Sequence, residues 1–208
     1  MIIPVTPFQQ NCSLVWNEDT RIGAVVDPGG DVDVIRKAID QAQVTVEKIL
    51  LTHGHIDHAG GAAELRDQLK VVIEGPHKED AFLLEGLPKS GAQYGYEARA
   101  FTPDRWLKEG DKVTVGALDF DILECPGHTP GSVVLFNNAH RFCFMGDVLF
   151  QGSVGRTDFP YGDHDTLIAS IRDKLLPLGD DVAFLPGHGP ASTIGEERRS
   201  NPFLAGAS

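Results

Sequence analysis

Short β-branched and apolar runs recur from the start of the chain. Ile2–Val5, Cys12–Trp16 and Ile22–Val26 read as strands bounded by turn residues. Asp27-Pro28-Gly29-Gly30 is a turn cluster. Asp31 then stands where a helix N-cap belongs, with Val34, Ala38 and Ala42 predicted on the inner face of a helix reaching Ala42. Lys48–Thr52 reads as a buried strand. A helix from about Asp57 would turn Ala62, Leu65 and Leu69 inward. Val71–Glu74 is a further strand and His77–Glu85 a helix.

The second half is richer in strands. Lys112–Val115, Leu118–Leu123, Ser132–Phe136 and Phe142–Met145 are strand-like and separated by turn residues. Asp163–Leu176 reads as a helix ending before Pro177 and Gly179. Val182–Leu185 is the last strand and Thr193–Arg199 the last short helix. Strands dominate while helices recur at intervals, which points to two packed sheets with helices outside. No linker or repeat divides the chain, so 1–208 is expected to be one domain.

Composition narrows the function classes. The chain is 41% hydrophobic and 23% charged, as ordinary globular proteins are, and its net charge is −12. That charge opposes a polyphosphate surface, so no nucleic-acid partner is expected. No apolar run reaches the roughly 18 residues of a spanning helix, and Met1-Ile2-Ile3-Pro4 lacks the basic start of a secretory signal, so no membrane association is expected. The three cysteines, Cys12, Cys125 and Cys143, form no CxxC pair, which fits a reducing, cytoplasmic compartment.

The chemistry lies in the histidines. Thr52-His53-Gly54-His55-Ile56-Asp57-His58 leaves a buried strand and opens a helix. His53 and His55, two apart in extended backbone, point to one side, while Asp57 and His58 are displaced around the helix start. One loop can thus aim two side chains at one ion and two at its neighbour. Neutral imidazole and carboxylate are the donors that zinc, iron and manganese use. Pro126-Gly127-His128, Gly146-Asp147 and Pro186-Gly187-His188 each put one more such residue just past a strand. Alone, His128 or His188 would be an unremarkable loop histidine; four ligand-type residues within six have no packing purpose. His77, His140 and His164 lack this context and read as surface residues. Cys125, three residues before His128, reads as a small buried strand residue.

The combination resembles the metallo-β-lactamase fold superfamily over nearly the whole chain, and within it the hydroxyacylglutathione hydrolases, the glyoxalase II group. LLTHGHIDHAGG, CPGHTPGS, GDVLFQGSVGRTDFP and LPGHGPASTIGEERRSNPFL are similar to its short bacterial branch. The resemblance implies an α/β (α+β) fold, a four-layer αββα sandwich of two mixed sheets with the metal centre at one edge. It implies that His53, His55 and His128 bind one divalent ion, that Asp57, His58 and His188 bind a second, and that Asp147 bridges them. Asp57, His58 and Asp147 would also carry the catalysis. The ions would be zinc, with iron or manganese as alternatives, and their bound hydroxide would attack the thioester of S-lactoylglutathione or a related acyl-glutathione.

Two departures bear on the substrate. Only 18 residues follow Pro190, so the helical C-terminal domain of the longer enzymes is expected to be absent. Where those enzymes have a glutathione-contacting lysine this chain has Arg156, and Asp158 replaces a glutathione-binding tyrosine. Arg156 is the candidate for the glutathione carboxylates, with an ion pair to Asp158 or Asp163 as its alternative role. Tyr161 and Phe159 are candidates for the pocket lining. Asp27 is expected to steer a ligand histidine by hydrogen bonding. The rival enzyme reading is a one-iron glutathione persulfide dioxygenase of the same fold, which also carries a GRTDF-like stretch. A nucleic-acid nuclease is opposed by the charge, and a structural metal module by the scarcity of cysteine ligands. The oligomeric state expected is a monomer or small homo-oligomer.

Overall fold

The computed structural model describes residues 1–204. The chain opens with β1 (Ile2–Val5), β2 (Gln10–Trp16) and β3 (Ile22–Val26), then α1 (Val32–Ala42) and β4 (Thr45–Leu50). Two helices, α2 (Ile56–Ala59) and α3 (Ala62–Leu69), precede β5 (Val72–Glu74), and a one-turn helix at Lys78–Asp80 leads into α4 (Ala81–Tyr94). The second half contains β6 (Lys112–Val115), β7 (Leu118–Glu124), β8 (Val133–Asn137), β9 (Phe142–Gly146) and the small hairpin β10 (Leu149–Phe150) and β11 (Ser153–Val154). It closes with α5 (His164–Ser170), β12 (Ala183–Pro186), β13 (Ser192–Thr193) and α6 (Ile194–Ser200).

The strands form two mixed sheets, one ordered β1-β2-β3-β4-β5 and the other β13-β12-β9-β8-β7-β6. The period-two alternation of side chains decides which layer each residue enters. From the first sheet Ala24, Val26 and Leu50 point between the sheets, where they meet Phe120, Ile122, Val133, Leu135 and Phe144 of the second. The intervening residues point outward. Val25, Ile49 and Ile73 pack under Ile35 and Ile39 of α1, Leu65 of α3 and Leu84 and Leu87 of α4. Val134, Cys143, Met145 and Phe184 pack under Leu167 of α5 and Ile194 of α6. Each central strand is therefore buried on both faces, and the expected four-layer αββα sandwich is present. Among the described residues no helix is long and apolar enough to cross a membrane.

Several local expectations are corrected. Val34 is exposed, and α1 buries Val32, Ile35, Ala38, Ile39 and Ala42, the stripe that follows the helical period from Val32. Asp31 occupies the N-cap position in a left-handed conformation but does not cap; its carboxylate accepts from the Thr6 backbone N–H at 2.6 Å. The strand read as Lys48–Thr52 begins at Thr45 and ends at Leu50. The helix predicted from Asp57 is broken between Ala59 and Ala62, and Leu69 is only half-buried. The helix predicted to end at Glu85 continues through Gly86 and Pro88 to Tyr94, because its buried face joins the core through Leu84 and Leu87 and meets Tyr96 and Ala98 at Gly91. Past Ser170, the helix predicted to reach Leu176 continues as a wider turn, Ile171–Leu175, and Pro177 lies in the tight turn that follows.

One rim of the sandwich gathers the loops that leave β3, β4, β7, β9 and β12. Backbone bonds tie the two sheets there: Val133 N–H donates to the Thr52 carbonyl at 2.8 Å and Asn11 N–H to the Gly187 carbonyl at 2.7 Å. Gly127, with φ +134°, brings the loop after β7 so close to α5 that a β-carbon would lie 2.4 Å from the Leu167 Cα. Gly127→Ala combines a disfavoured conformation with a backbone clash. It is expected to destabilise the fold by about 1–3 kcal/mol, measured by urea unfolding.

Candidate metal centre

All seven candidate ligands meet at this rim. His53 and His55 leave β4, Asp57 and His58 begin α2, and His128, Asp147 and His188 follow β7, β9 and β12. His55 Nδ1 lies 3.2 Å from His53 Nε2 and 3.0 Å from His128 Nε2, so three ring nitrogens converge. Beside them His188 Nε2 is 3.0 Å from Asp57 Oδ2, with His58 in the same cluster. Asp147 stands between the two groups. Its Oδ1 is 3.3 Å from His58 Nε2, and its Oδ2 is 3.7 Å from both His128 Nε2 and His188 Nε2.

The far nitrogen of every one of these imidazoles faces an oxygen. His128 Nδ1 donates to the Arg156 carbonyl at 2.8 Å and His188 Nδ1 to the Phe8 carbonyl at 3.2 Å. His58 Nδ1 donates to Asp27 Oδ2 at 2.9 Å. The Thr52 hydroxyl gives its hydrogen to the same carboxylate oxygen at 2.6 Å, which leaves its lone pairs to accept from His53 Nδ1 at 3.1 Å. His55 Nε2 lies 2.9 Å from the Tyr161 hydroxyl. The acceptors behind His53, His58, His128 and His188 turn the other nitrogen of each ring toward the two clusters.

The electrostatics agree with a cation-binding role. Burial, reinforced by the neighbouring rings, holds His53 well below its ordinary value and brings His55 down to about 3. Burial also lowers His128, so these three rings are neutral donors. Burial works against charge at Asp147 and Asp57 too, but the surrounding imidazoles, His58 foremost, hold both carboxyls below their usual range. His58 goes the other way. Burial opposes its protonation, but Asp147, Asp57 and Asp27 outweigh it and raise the ring well above its ordinary value, because three carboxylates around one point demand positive charge. His58 Nε2 and Asp147 Oδ1 are buried with no hydrogen-bond partner in the protein. Orphaned donor atoms of this kind, aimed at a common point, fit a bound metal.

A cavity of about 560 Å³ opens over the clusters. Its walls are aromatic. Phe8 and Tyr94 meet edge to face at 5.1 Å, and Phe159 and Tyr161 stack at 5.3 Å. Arg156 also lines it, with its guanidinium 4.5 Å above the Phe159 ring, but both arms bind Asp158, at 2.7 and 2.6 Å. The ion pair weighed as an alternative for Arg156 is thus present, with Asp158 and not Asp163 as partner. Cys125, His140 and His164 lie where expected, the first buried and the others exposed. His77 is half-buried, accepting from the Glu79 N–H.

Sequence reasoning missed Thr52, the Phe8 carbonyl, Tyr94 and Asp80. All except Thr52, which adjoins the HxHxDH run, come from segments that carry no motif and reach the site only through the fold. Asp27→Asn should weaken metal binding about 10- to 100-fold. The check is zinc retention after dialysis against graded chelator, compared with the unsubstituted protein.

Comparison with known proteins agrees with this geometry. The sequence model of the metallo-beta-lactamase superfamily matches residues 5–188. The hydroxyacylglutathione hydrolase GloC of Haemophilus influenzae is 49% identical over 98% of this chain and 96% of its own. Among solved structures, the BLEG-1 B3 metallo-beta-lactamase superposes with TM-score 0.90 at 38% identity, covering 98% of both chains. TTHA1623, described in a di-iron-bound form, superposes with TM-score 0.89 at 35% identity, covering 98% of this chain and 100% of that one. The family match runs from β1 to His188 and takes in every one of the converging side chains, so this chain belongs to the metallo-beta-lactamase superfamily.

Proposed function

We propose that the protein is a metal-dependent thioester hydrolase that cleaves S-lactoylglutathione, or a related acyl-glutathione, to the hydroxy acid and glutathione. The observation that carries this reading is the pair of ligand clusters sharing Asp147 on the floor of an open aromatic cavity. The 49% identity to a hydroxyacylglutathione hydrolase supports it. No cysteine competes as nucleophile: Cys12, Cys125 and Cys143 are all buried, and burial pushes their thiols up, Cys143 to about 12. Three unpaired, buried thiols also suit a cytoplasmic setting.

His53, His55 and His128 would hold one ion and Asp57, His58 and His188 the other, with Asp147 shared. Two divalent ions bound there would supply an activated water and a Lewis acid for the thioester carbonyl. The chain's own groups do the rest. Asp27, Thr52 and the two backbone carbonyls keep His58, His53, His128 and His188 aimed at the clusters. Tyr161, with its hydroxyl 2.9 Å from His55 Nε2, lines the cavity where a substrate would sit. Arg156 can exchange the exposed Asp158 for a substrate carboxylate at little cost, since exposed ion pairs contribute at most about 1 kcal/mol. The thiol that leaves has a parent pKa near 8.5, so it departs without a strong acid.

Zinc is the ion we propose, with iron or manganese as alternatives, because imidazole and carboxylate accept several first-row metals. The 49% identity to a hydroxyacylglutathione hydrolase favours this hydrolase over the one-iron dioxygenase.

The deciding experiment is elemental analysis of protein purified without added metal, paired with an S-lactoylglutathione assay under argon. Two equivalents of metal and oxygen-independent thioester cleavage are expected. Oxygen consumption with glutathione persulfide and no thioester cleavage would overturn the reading. His55→Ala should lose metal and nearly all activity in the same two measurements. Arg156→Ala should raise KM for glutathione thioesters about 3- to 10-fold with little change in kcat, as expected when a uniform binding contact is removed; steady-state kinetics reads this directly.

A further inference from the structure

Asp80 is fully buried at the end of the one-turn helix that precedes α4, and it belongs to neither ligand cluster. Its carboxylate bonds to three groups from two different loops. Oδ2 accepts from the Gly54 N–H at 2.8 Å and from the Thr129 hydroxyl at 2.8 Å. Oδ1 accepts from the Gly131 N–H at 2.6 Å. Gly54 lies between His53 and His55, and Thr129 follows His128. One side chain therefore spans both loops that supply the first cluster.

The packing around Asp80 leaves this bridge no slack. A β-carbon on Gly131 would lie 2.6 Å from Asp80, and one on Gly54 would lie 2.8 Å from Leu83 Cβ. The His77 N–H donates to the Gly131 carbonyl at 3.1 Å, and the Asp80 N–H to the His77 carbonyl at 3.0 Å, so the turn carrying Asp80 is itself tied to the His128 loop. The Thr129 and Ser132 hydroxyls are 2.7 Å apart, which closes the network. Nothing on the second cluster's side touches this carboxylate: Asp57 and His188 pair with each other and His58 with Asp27.

We infer that Asp80 is a positioning residue for the first metal site alone, a clamp that sets the separation of His53 and His55 from His128 across the two loops. This rests on the two-ion reading of the centre. The carboxylate is suited to the task because all three donors meet an acceptor with no hydrogen of its own. An asparagine has one oxygen and one NH2, so whichever way it turns, at least one loop donor would face another donor. Clamps one step removed from the ligands usually set metal affinity by one to two orders of magnitude. Burial pushes the Asp80 carboxyl up to about 6 against the pull of the three donors, so the clamp is ionised at pH 8, where the test is run.

The test is zinc titration of the metal-free protein in competition with a chromophoric chelator, for wild type and Asp80→Asn. Wild type should take up two ions; failure to do so would sink the two-ion reading itself. Given two wild-type sites, Asp80→Asn should bind one ion as wild type does and the other about 10- to 100-fold more weakly. In a His188→Ala background, which impairs the second cluster, the remaining site should show that weakening. Should Asp80→Asn not fold, Thr129→Val removes a single donor, and a loss of about 3- to 10-fold confined to one ion is expected. Wild-type affinity for both ions, or equal weakening of both, would overturn the role assigned to Asp80.

Discussion

Asp27 Oδ2 takes the Thr52 hydroxyl and the His58 imidazole together, and through these two contacts one buried carboxylate aims a ring in each ligand cluster. Its other oxygen accepts from the Thr52 N–H, which anchors the carboxylate to the chain leaving β4. A histidine has two ring nitrogens, and only an acceptor on the far one guarantees that the near one presents a lone pair. Asp27 holds the far nitrogen of His58 directly and, through Thr52, that of His53. His128 and His188 repeat the device with the carbonyls of Arg156 and Phe8, and the Tyr161 hydroxyl lies behind His55. The aim of the candidate ligands thus rests on a ring of oxygens behind them.

The scaffold makes that ring possible. Central strands buried on both faces hold their C-terminal ends still, and the loops leaving them converge because β3 and β4 run parallel in one sheet and β9 and β12 in the other. The site is costly to the apo chain. It crowds buried imidazoles with carboxylates, leaves His58 Nε2 and Asp147 Oδ1 without partners, and demands positive charge at their centre. A fold keeps such an arrangement when a cation relieves it.

The cavity above adds what the clusters lack. Its aromatic side chains stand among polar ones, and Arg156 offers a cation already engaged by Asp158 and stacked on Phe159. The Arg156 backbone carbonyl also orients His128. Helix α4 supplies Leu83 and Tyr94 to the cavity wall and joins directly to the Asp80 turn, so the wall and the first cluster share one support.

The seven candidate ligands that the fold brings together could be named from the sequence because HxHxDH compresses four donor-type residues into six and the other three follow Gly or Pro-Gly at strand ends. The strands were legible for a similar reason, since a two-face buried strand writes itself as an apolar run. Helix limits were less so. The helix expected to end at Glu85 runs on past Gly86 and Pro88 with Leu84, Leu87 and Gly91 buried. Val34 read as inward, yet the buried stripe runs from Val32. The supports of the site were hidden for another reason. Asp80 is 26 residues from Gly54 and 51 from Gly131, and the Phe8 carbonyl is 180 from His188. Local spacing can specify which side chains are able to bind a metal. Which nitrogen each imidazole presents, and what holds it there, was decided by the tertiary structure, because a hydrogen-bond acceptor works by proximity in space and leaves no periodic mark along the chain.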